Sequence, residues 1–308
     1  MKTEREKMLD FKPLELKNKK LFDSYVLINQ YDHSEASFSN MYTWAEAWDI
    51  CMDTDEDALY LSMYSDVYQP FLLPPYLKDL SQSILPSMLK CEEYMLDKFG
   101  LFYLKCATPE MVAKIKQDCG DRYTYVYDEY NSEYLYNAKD LIELKGKKYH
   151  SKRNHVNAFL RDYQCEFLPY QDEYKEECIA LQEEWAIEKQ ADERDAQEEL
   201  LSIKKALNNF EELGFVGCVV KINGEIVGFS FGEQICKRTA IIHIEKAKAG
   251  INGLYTYLNQ KFAATMWSHC QFINRAEDMG VEGIRKAKRS YYPVRMLEKY
   301  DVLLKSKE

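Results

Sequence analysis

The dipeptide Asn223-Gly224 lies between two runs of alternating apolar residues, Phe215–Ile222 and Glu225–Ile235. A two-residue hairpin turn needs positive φ at both central positions, which Asn and Gly adopt with least strain, so this stretch is predicted as a β-hairpin. Two antiparallel strands are thereby fixed side by side, and the flanking segments limit how their sheet can grow. Upstream, Tyr149–Tyr163 has helical spacing, Cys165–Leu168 predicts a short strand, and Asp172–Phe210 predicts one or two acidic helices. Downstream follow a strand at Thr239–Lys246, an amphipathic helix at Gly253–His269, a strand at Gln271–Asn274, a helix at Val281–Ser290 and a last strand at Val294–Leu304.

The first half mixes the same element types in a weaker pattern. Strands are predicted at Phe11–Leu16, Ala58–Ser65, Val67–Leu73, Leu101–Ala107 and Tyr123–Tyr127, and helices at Lys19–Gln30, Ser37–Asp49 and within Leu77–Phe99. Thr108 followed by Pro109 marks an N-cap and first helical position, and that helix ends at Gly120. The Tyr-rich run at 123–136 predicts strand packing with exposed hydroxyls, and the four tryptophans at 44, 48, 185 and 267 predict core packing. A chain of 308 residues with this content is expected to form two α+β domains, divided as 1–143 and 144–308.

Composition narrows the function classes. Net charge is −10, which argues against a general nucleic-acid coat. The charge is uneven: residues 141–161 carry six Lys/Arg against one Glu, whereas residues 170–200 carry twelve Asp/Glu against three Lys/Arg. Nine scattered cysteines, none in CxxC spacing, argue against a disulfide framework or a structural zinc site and fit apolar core positions. No metal site is expected. No apolar run approaches the ~18 residues needed to span a bilayer, and residues 1–10 lack a signal-peptide core, so a cytoplasmic location is expected.

Three groups of polar residues stand out. Asn274, Arg275, Glu277 and Asp278 crowd the junction of a strand and a turn, followed by Arg285, Lys288 and Tyr291 on and after a helix. Such density is costly to bury unless the groups hold one another or a ligand. Local roles stand beside binding: Asp278 as a helix cap, Arg275 with Glu277 as an ion pair, and Lys288 at a helix C-terminus. The second group is basic, with Lys145, Lys147, Lys148, His150, Lys152, Arg153 and His155, next to Asn154. It reads either as an anion site or as a solvated helix face. The third is the strand IIHIEK, where alternation puts His243 and Glu245 on one side and Lys246 on the other.

Four stretches carry a family resemblance: SEASFSNMYTW at Ser34–Trp44, LKGKKYHSKRNHVNAF at Leu144–Phe159, HIEKAKAGINGLYTYLNQKFA at His243–Ala263 and INRAEDMGVEGIRKAKRSYYP at Ile273–Pro293. Together they resemble the DUF2156 family, related to the C-terminal domain of phosphatidylglycerol lysyltransferases. The resemblance implies tandem GNAT-like (acyl-CoA N-acyltransferase) domains, with mixed central sheets flanked by helices and a diverged copy in the first half. In the family pattern the fourth motif reads Asn-Arg-Glu-Glu-Asp, and Ala276 stands here at the first Glu.

The implied activity is transfer of an acyl or aminoacyl group from a phosphate-bearing donor, an aminoacyl-tRNA or a CoA ester, to an amine or hydroxyl. The acceptor is a soluble molecule or an anionic phospholipid head group. Glu245 or His243 is implied as the proton acceptor, and Tyr291 as proton donor to the leaving oxygen. Lys147, Lys148, Arg153, Asn154, His155, Lys246, Asn274, Arg275, Glu277, Asp278, Arg285 and Lys288 are implied as substrate contacts. Gly250 and Gly253 precede a helix whose N-terminal N–H groups suit a phosphate, although the Arg/Gln-x-x-Gly-x-Gly/Ala spacing of acetyl-CoA enzymes is missing. An acetyl-CoA-dependent N-acetyltransferase and a non-catalytic module binding a phosphate-bearing metabolite or RNA are the alternatives.

Overall fold

A computed structural model describes residues 8–65, 69–189 and 192–305. Val67 and Tyr68 of one expected strand, and Gln190 and Ala191 of the acidic stretch, lie outside the described residues. The chain forms two compact units along an interleaved path. The first comprises the chain up to Tyr31, Ala45–Ser132 and the chain from Leu297 on; the second comprises Asp32–Trp44 and Glu133–Met296. The sequence draws one line at 143/144, whereas the units exchange segments at both ends of the first motif and again near the C-terminus.

In the first unit an eight-stranded sheet runs in the order Lys12–Pro13, Cys51–Thr54, Ala58–Met63, Phe71–Leu72, Tyr103–Ala107, Tyr300–Leu304, Tyr123–Tyr127, with Tyr76–Leu77 also paired to Ala58–Met63. Its helices include Leu85–Phe99, which lies within the expected Leu77–Phe99 stretch and starts beside Pro86, and Pro109–Cys119. Thr108 caps the latter through its hydroxyl, which accepts from the Met111 N–H. The expected helix at Ser37–Asp49 is confined to Phe38–Trp44.

The second unit carries the candidate residues. Its elements are α1 (Phe38–Trp44), β1 (Glu133–Asn137), α2 (Ala138–Glu143), α3 (His150–Asp162), β2 (Cys165–Pro169), α4 (Lys175–Lys189), α5 (Glu193–Asn208), β3 (Val216–Ile222), β4 (Glu225–Gln234), β5 (Thr239–Ala247), α6 (Leu254–Met266), β6 (Phe272–Asn274), α7 (Glu282–Arg289) and β7 (Arg295–Leu297). The sheet order is β7-β1-β6-β5-β4-β3-β2. The β3–β4 hairpin closes at Asn223-Gly224, both with positive φ, and pairs Ile222 with Glu225 as expected. The expected last strand at Val294–Leu304 is in fact two: β7 borders the second sheet, and Tyr300–Leu304 lies in the first.

Two irregularities in β5 shape the site. Opposite β4 the register slips from Phe231↔Ile244 to Gly232↔Ile242, which leaves His243 as the extra residue of a bulge. Gly232 permits it, because a Cβ there would sit 2.0 Å from the Ile241 carbonyl oxygen. On the other side β5 pairs in parallel with β6 only from Thr239↔Phe272 to Ile241↔Asn274. β6 then ends, while β5 runs on to Ala247.

Helix α6 buries Leu254, Leu258 and Phe262, spaced by one turn, in the unit's core with Val156 and Phe159 of α3. Gly253 makes that approach feasible: its φ is +84°, and a Cβ would meet the His155 carbonyl oxygen at 2.1 Å. Gly250, with φ +79°, faces open space. Gly253→Ala should therefore cost roughly 2–4 kcal/mol, and Gly250→Ala only about 1 kcal/mol, measured by urea unfolding. Equal costs at the two positions would contradict the close helix approach.

Candidate active site

Where β5 and β6 part, the gap is filled by a charge pair. Arg275, the residue after β6, donates from Nη2 to Glu245 Oε1 on β5 at 2.9 Å, and each side chain is about nine-tenths buried. The second Glu245 oxygen accepts from Asn259 Nδ2 of α6 at 2.7 Å. Two aromatic rings flank the guanidinium: its Cζ lies 4.8 Å from the Tyr291 ring centroid and 5.8 Å from that of Tyr136. Lys152 of α3 completes the group, with Nζ 3.8 Å from the Tyr291 ring centroid. The structure thus gathers Glu245, Arg275 and Tyr291 with Lys152 of the basic group, and adds Asn259 and Tyr136.

Burial governs the protonation of this group. Burial and then the neighbouring Arg275 pull the Lys152 ammonium down to about 8, against the opposing pull of Glu245. Burial lowers Arg275 too, but Glu245 more than offsets this, so the guanidinium stays charged. Burial raises the Tyr291 hydroxyl above its usual value, so it remains an O–H donor at neutral pH.

Beneath the pair lies a scaffold of satisfied polar groups. Asp278 is buried and accepts from Arg285 Nε and Nη2 at 2.9 and 3.0 Å, from the Tyr134 hydroxyl and from the Gly280 N–H. Burial pushes its carboxyl up, yet these donors together hold it down at about 2. Asp278 is therefore no helix cap; Val281 occupies that position. Arg285 is committed to Asp278, and Arg275 pairs with Glu245 rather than Glu277. Lys288 points its ammonium at the carbonyls of Arg275 and Glu277 instead of at its own helix end. Burial lowers Lys288 to about 8 and raises Glu277, each opposed by the other's charge. Asn274 donates to Glu133 and to the Asp32 carbonyl, and its Oδ1 accepts from the Ala276 N–H at 2.8 Å. That last bond supports Ala276 at a positive φ of 55°.

The family model for the phosphatidylglycerol lysyltransferase C-terminal region matches residues 27–303. The chain belongs to this family. It is similar to a crystal structure of a conserved protein of unknown function from Bacteroides thetaiotaomicron VPI-5482, with 32% identity, TM-score 0.90 and coverage of 97% of this chain and 100% of that one. The L-PGS structure from Bacillus licheniformis aligns at 17% identity and TM-score 0.64 over 98% and 95% of the two chains. A tandem GNAT protein from the clavulanic acid biosynthesis pathway aligns at 9% identity and TM-score 0.52 over 97% and 100%, so the fold is the expected tandem GNAT-like one. The uncharacterized protein MYCGA3080 of Mycoplasmoides gallisepticum is 23% identical over 186 residues, which is 57% of this chain and 57% of that protein.

Several other residues expected at the site have partners within the protein. His243 bonds Glu233 at 3.0 Å and packs its ring on Phe215, while Glu233 also takes the hydroxyls of Ser37 and Ser39. The bulge breaks the alternation expected to join His243 to Glu245. Lys246 lies buried against Glu199 Oε2 at 2.8 Å and over the Trp185 ring at 3.3 Å. Trp267 is a core residue, whereas Trp185 is only half-buried. Arg153 ties α3 to the carbonyls of Leu144 and Gly146. Asn154 meets His150 at 3.2 Å, and His155 meets Asn252 at 3.4 Å. Lys148 lies 3.7 Å from Asp140, and Lys147 is exposed. Gly253 serves helix packing, and Gly250 a turn.

Glu133, buried under the Ser34 N–H and hydroxyl and Asn274, was missed, although Ser34 opens the first motif. Tyr134 and Tyr136 are buried, not exposed, and their hydroxyls bond Asp278 and the Lys288 carbonyl.

Asp278→Asn should cost on the order of 2 kcal/mol at neutral pH. A carboxyl held below its ordinary value stabilises the fold above about pH 4 and loses that contribution as pH falls through about 2. The variant's unfolding free energy should accordingly depend less on pH between 4 and 2 than the wild type's, in urea titrations across that range.

Proposed function

We propose that this domain is an aminoacyl- or acyltransferase, moving the group from a phosphate-bearing donor, an aminoacyl-tRNA or a CoA ester, to a hydroxyl or amine. A phospholipid head group is the acceptor that family membership favours. The single observation that carries the reading is the Glu245–Arg275–Tyr291 group at the point where β5 and β6 separate. Acyl transfer needs an acceptor for the nucleophile's proton, positive charge near the developing oxyanion and a donor for the leaving oxygen.

Glu245 has lone pairs left after its bonds to Arg275 and Asn259, and it takes the proton. Arg275 supplies fixed positive charge, and its pairing holds Glu245 in one orientation. Tyr291, kept protonated by burial, protonates the leaving oxygen. The attacking oxygen or nitrogen forms the new bond to the acyl carbon, and the bond to the donor oxygen or sulfur breaks. A module that binds a phosphate-bearing ligand without transfer is the second reading, favoured by the hydrogen bond that each Glu245 oxygen already accepts.

The test supplies labelled aminoacyl-tRNA with phosphatidylglycerol vesicles, and labelled acetyl-CoA with an amine panel, and counts label in the acceptor. Glu245→Gln should lower turnover on the order of 100-fold or more, with the variant's fold confirmed by its melting curve. Tyr291→Phe should lower it less. Full turnover by Glu245→Gln removes Glu245 as the base, and label in no acceptor removes the transferase reading.

A further inference from the structure

Two cationic donors at this site are unsatisfied. The Nη1 nitrogen of Arg275 is buried and makes no hydrogen bond. Among the described residues Lys152 makes no hydrogen bond and no ion pair, and its contact is the Tyr291 ring. A half-buried ammonium without a carboxylate is costly, as is a buried guanidinium N–H without an acceptor. The local charge does not balance, because Lys152 and Arg275 face Glu245 alone; the remaining neighbour, Tyr291, is neutral. Lys288 adds nothing, since carbonyls and Glu277 already hold it.

We propose that Lys152 Nζ and Arg275 Nη1 bind one oxyanion of phosphate type. The geometry favours a tetrahedral anion over a carboxylate. Glu245 already holds Nη2, so Arg275 presents its Nη1 amino group rather than both arms of its planar fork. One guanidinium amino group and one ammonium on separate elements, β6's end and α3, suit oxygens that point in different directions. The depressed ammonium of Lys152 fits the same picture, since an added anion between it and Arg275 restores its charge. Binding here does not depend on whether any group is transferred.

Trace acetylation with acetic anhydride, read lysine by lysine through peptide mass spectrometry, tests this on the full chain. At pH 8 and constant ionic strength, inorganic phosphate should slow labelling of Lys152 by about threefold or more, with Lys147 and Lys148 unchanged as exposed references. Arg275→Gln and Arg275→Lys, checked for folding by circular dichroism, should abolish the phosphate effect. Parallel arms with phosphatidylglycerol and phosphatidylcholine vesicles distinguish a lipid phosphate, which protects with the anionic head group, from free phosphate alone. Equal slowing of all three lysines, or none with phosphate or either vesicle, overturns the proposal.

Discussion

One buried ion pair organises the second unit. Glu245 and Arg275 sit where a parallel strand pair comes apart, a place where backbone groups lose their ladder partners and side chains must fill the gap. Desolvating two charges is expensive, and leaving one without the other typically costs about 3–5 kcal/mol. The pair persists because Asn259 takes the second carboxylate oxygen and two tyrosine rings flank the guanidinium. Those supports come from α6, β1 and the segment after α7. Holding the pair therefore fixes five pieces of chain relative to one another within this unit.

A division of labour follows among the polar residues. Asp278, Arg285, Asn274, Glu133 and Lys288 spend their hydrogen bonds on each other, on Ser34 and Tyr134 and on backbone groups, which ties down the β6–α7 turn. Glu233 does the same for His243, Ser37 and Ser39. Lys152 and Arg275 Nη1 are left over, and chemistry with a ligand falls to what the scaffold leaves unspent. A rigid surround suits that role, because preorganised charge needs no rearrangement when a substrate arrives.

Much of the fold was legible because its signals are local. The Asn223-Gly224 turn, the Thr108-Pro109 helix start and the Gly120 helix end each depend on a few adjacent backbone angles, and each stands where it was read. The failures are non-local. Val294–Leu304 reads as one strand because nothing in its side chains reveals that its two parts join different sheets. Alternation groups His243 with Glu245, but a bulge depends on the partner strand, and its sign is Gly232 some ten residues earlier. Tyr134 and Tyr136 are buried rather than exposed because their strand lies inside the second sheet and both rings pack into that unit's core.

For the site, the sequence by itself determined which chemistry was on offer: carboxylates, guanidinium groups, lysines and tyrosines concentrated in four motifs, on elements whose type it also specified. Only the tertiary structure decided which of them are committed. Arg275 chose Glu245, thirty residues away, over Glu277 next but one to it, and Glu133 met Ser34 from ninety-nine residues away. The reason is physical. Secondary structure follows from torsional preference and side-chain period, which are properties of neighbours. The pairing of buried charges follows from distance and desolvation in space, which only the packed sheet and helices set.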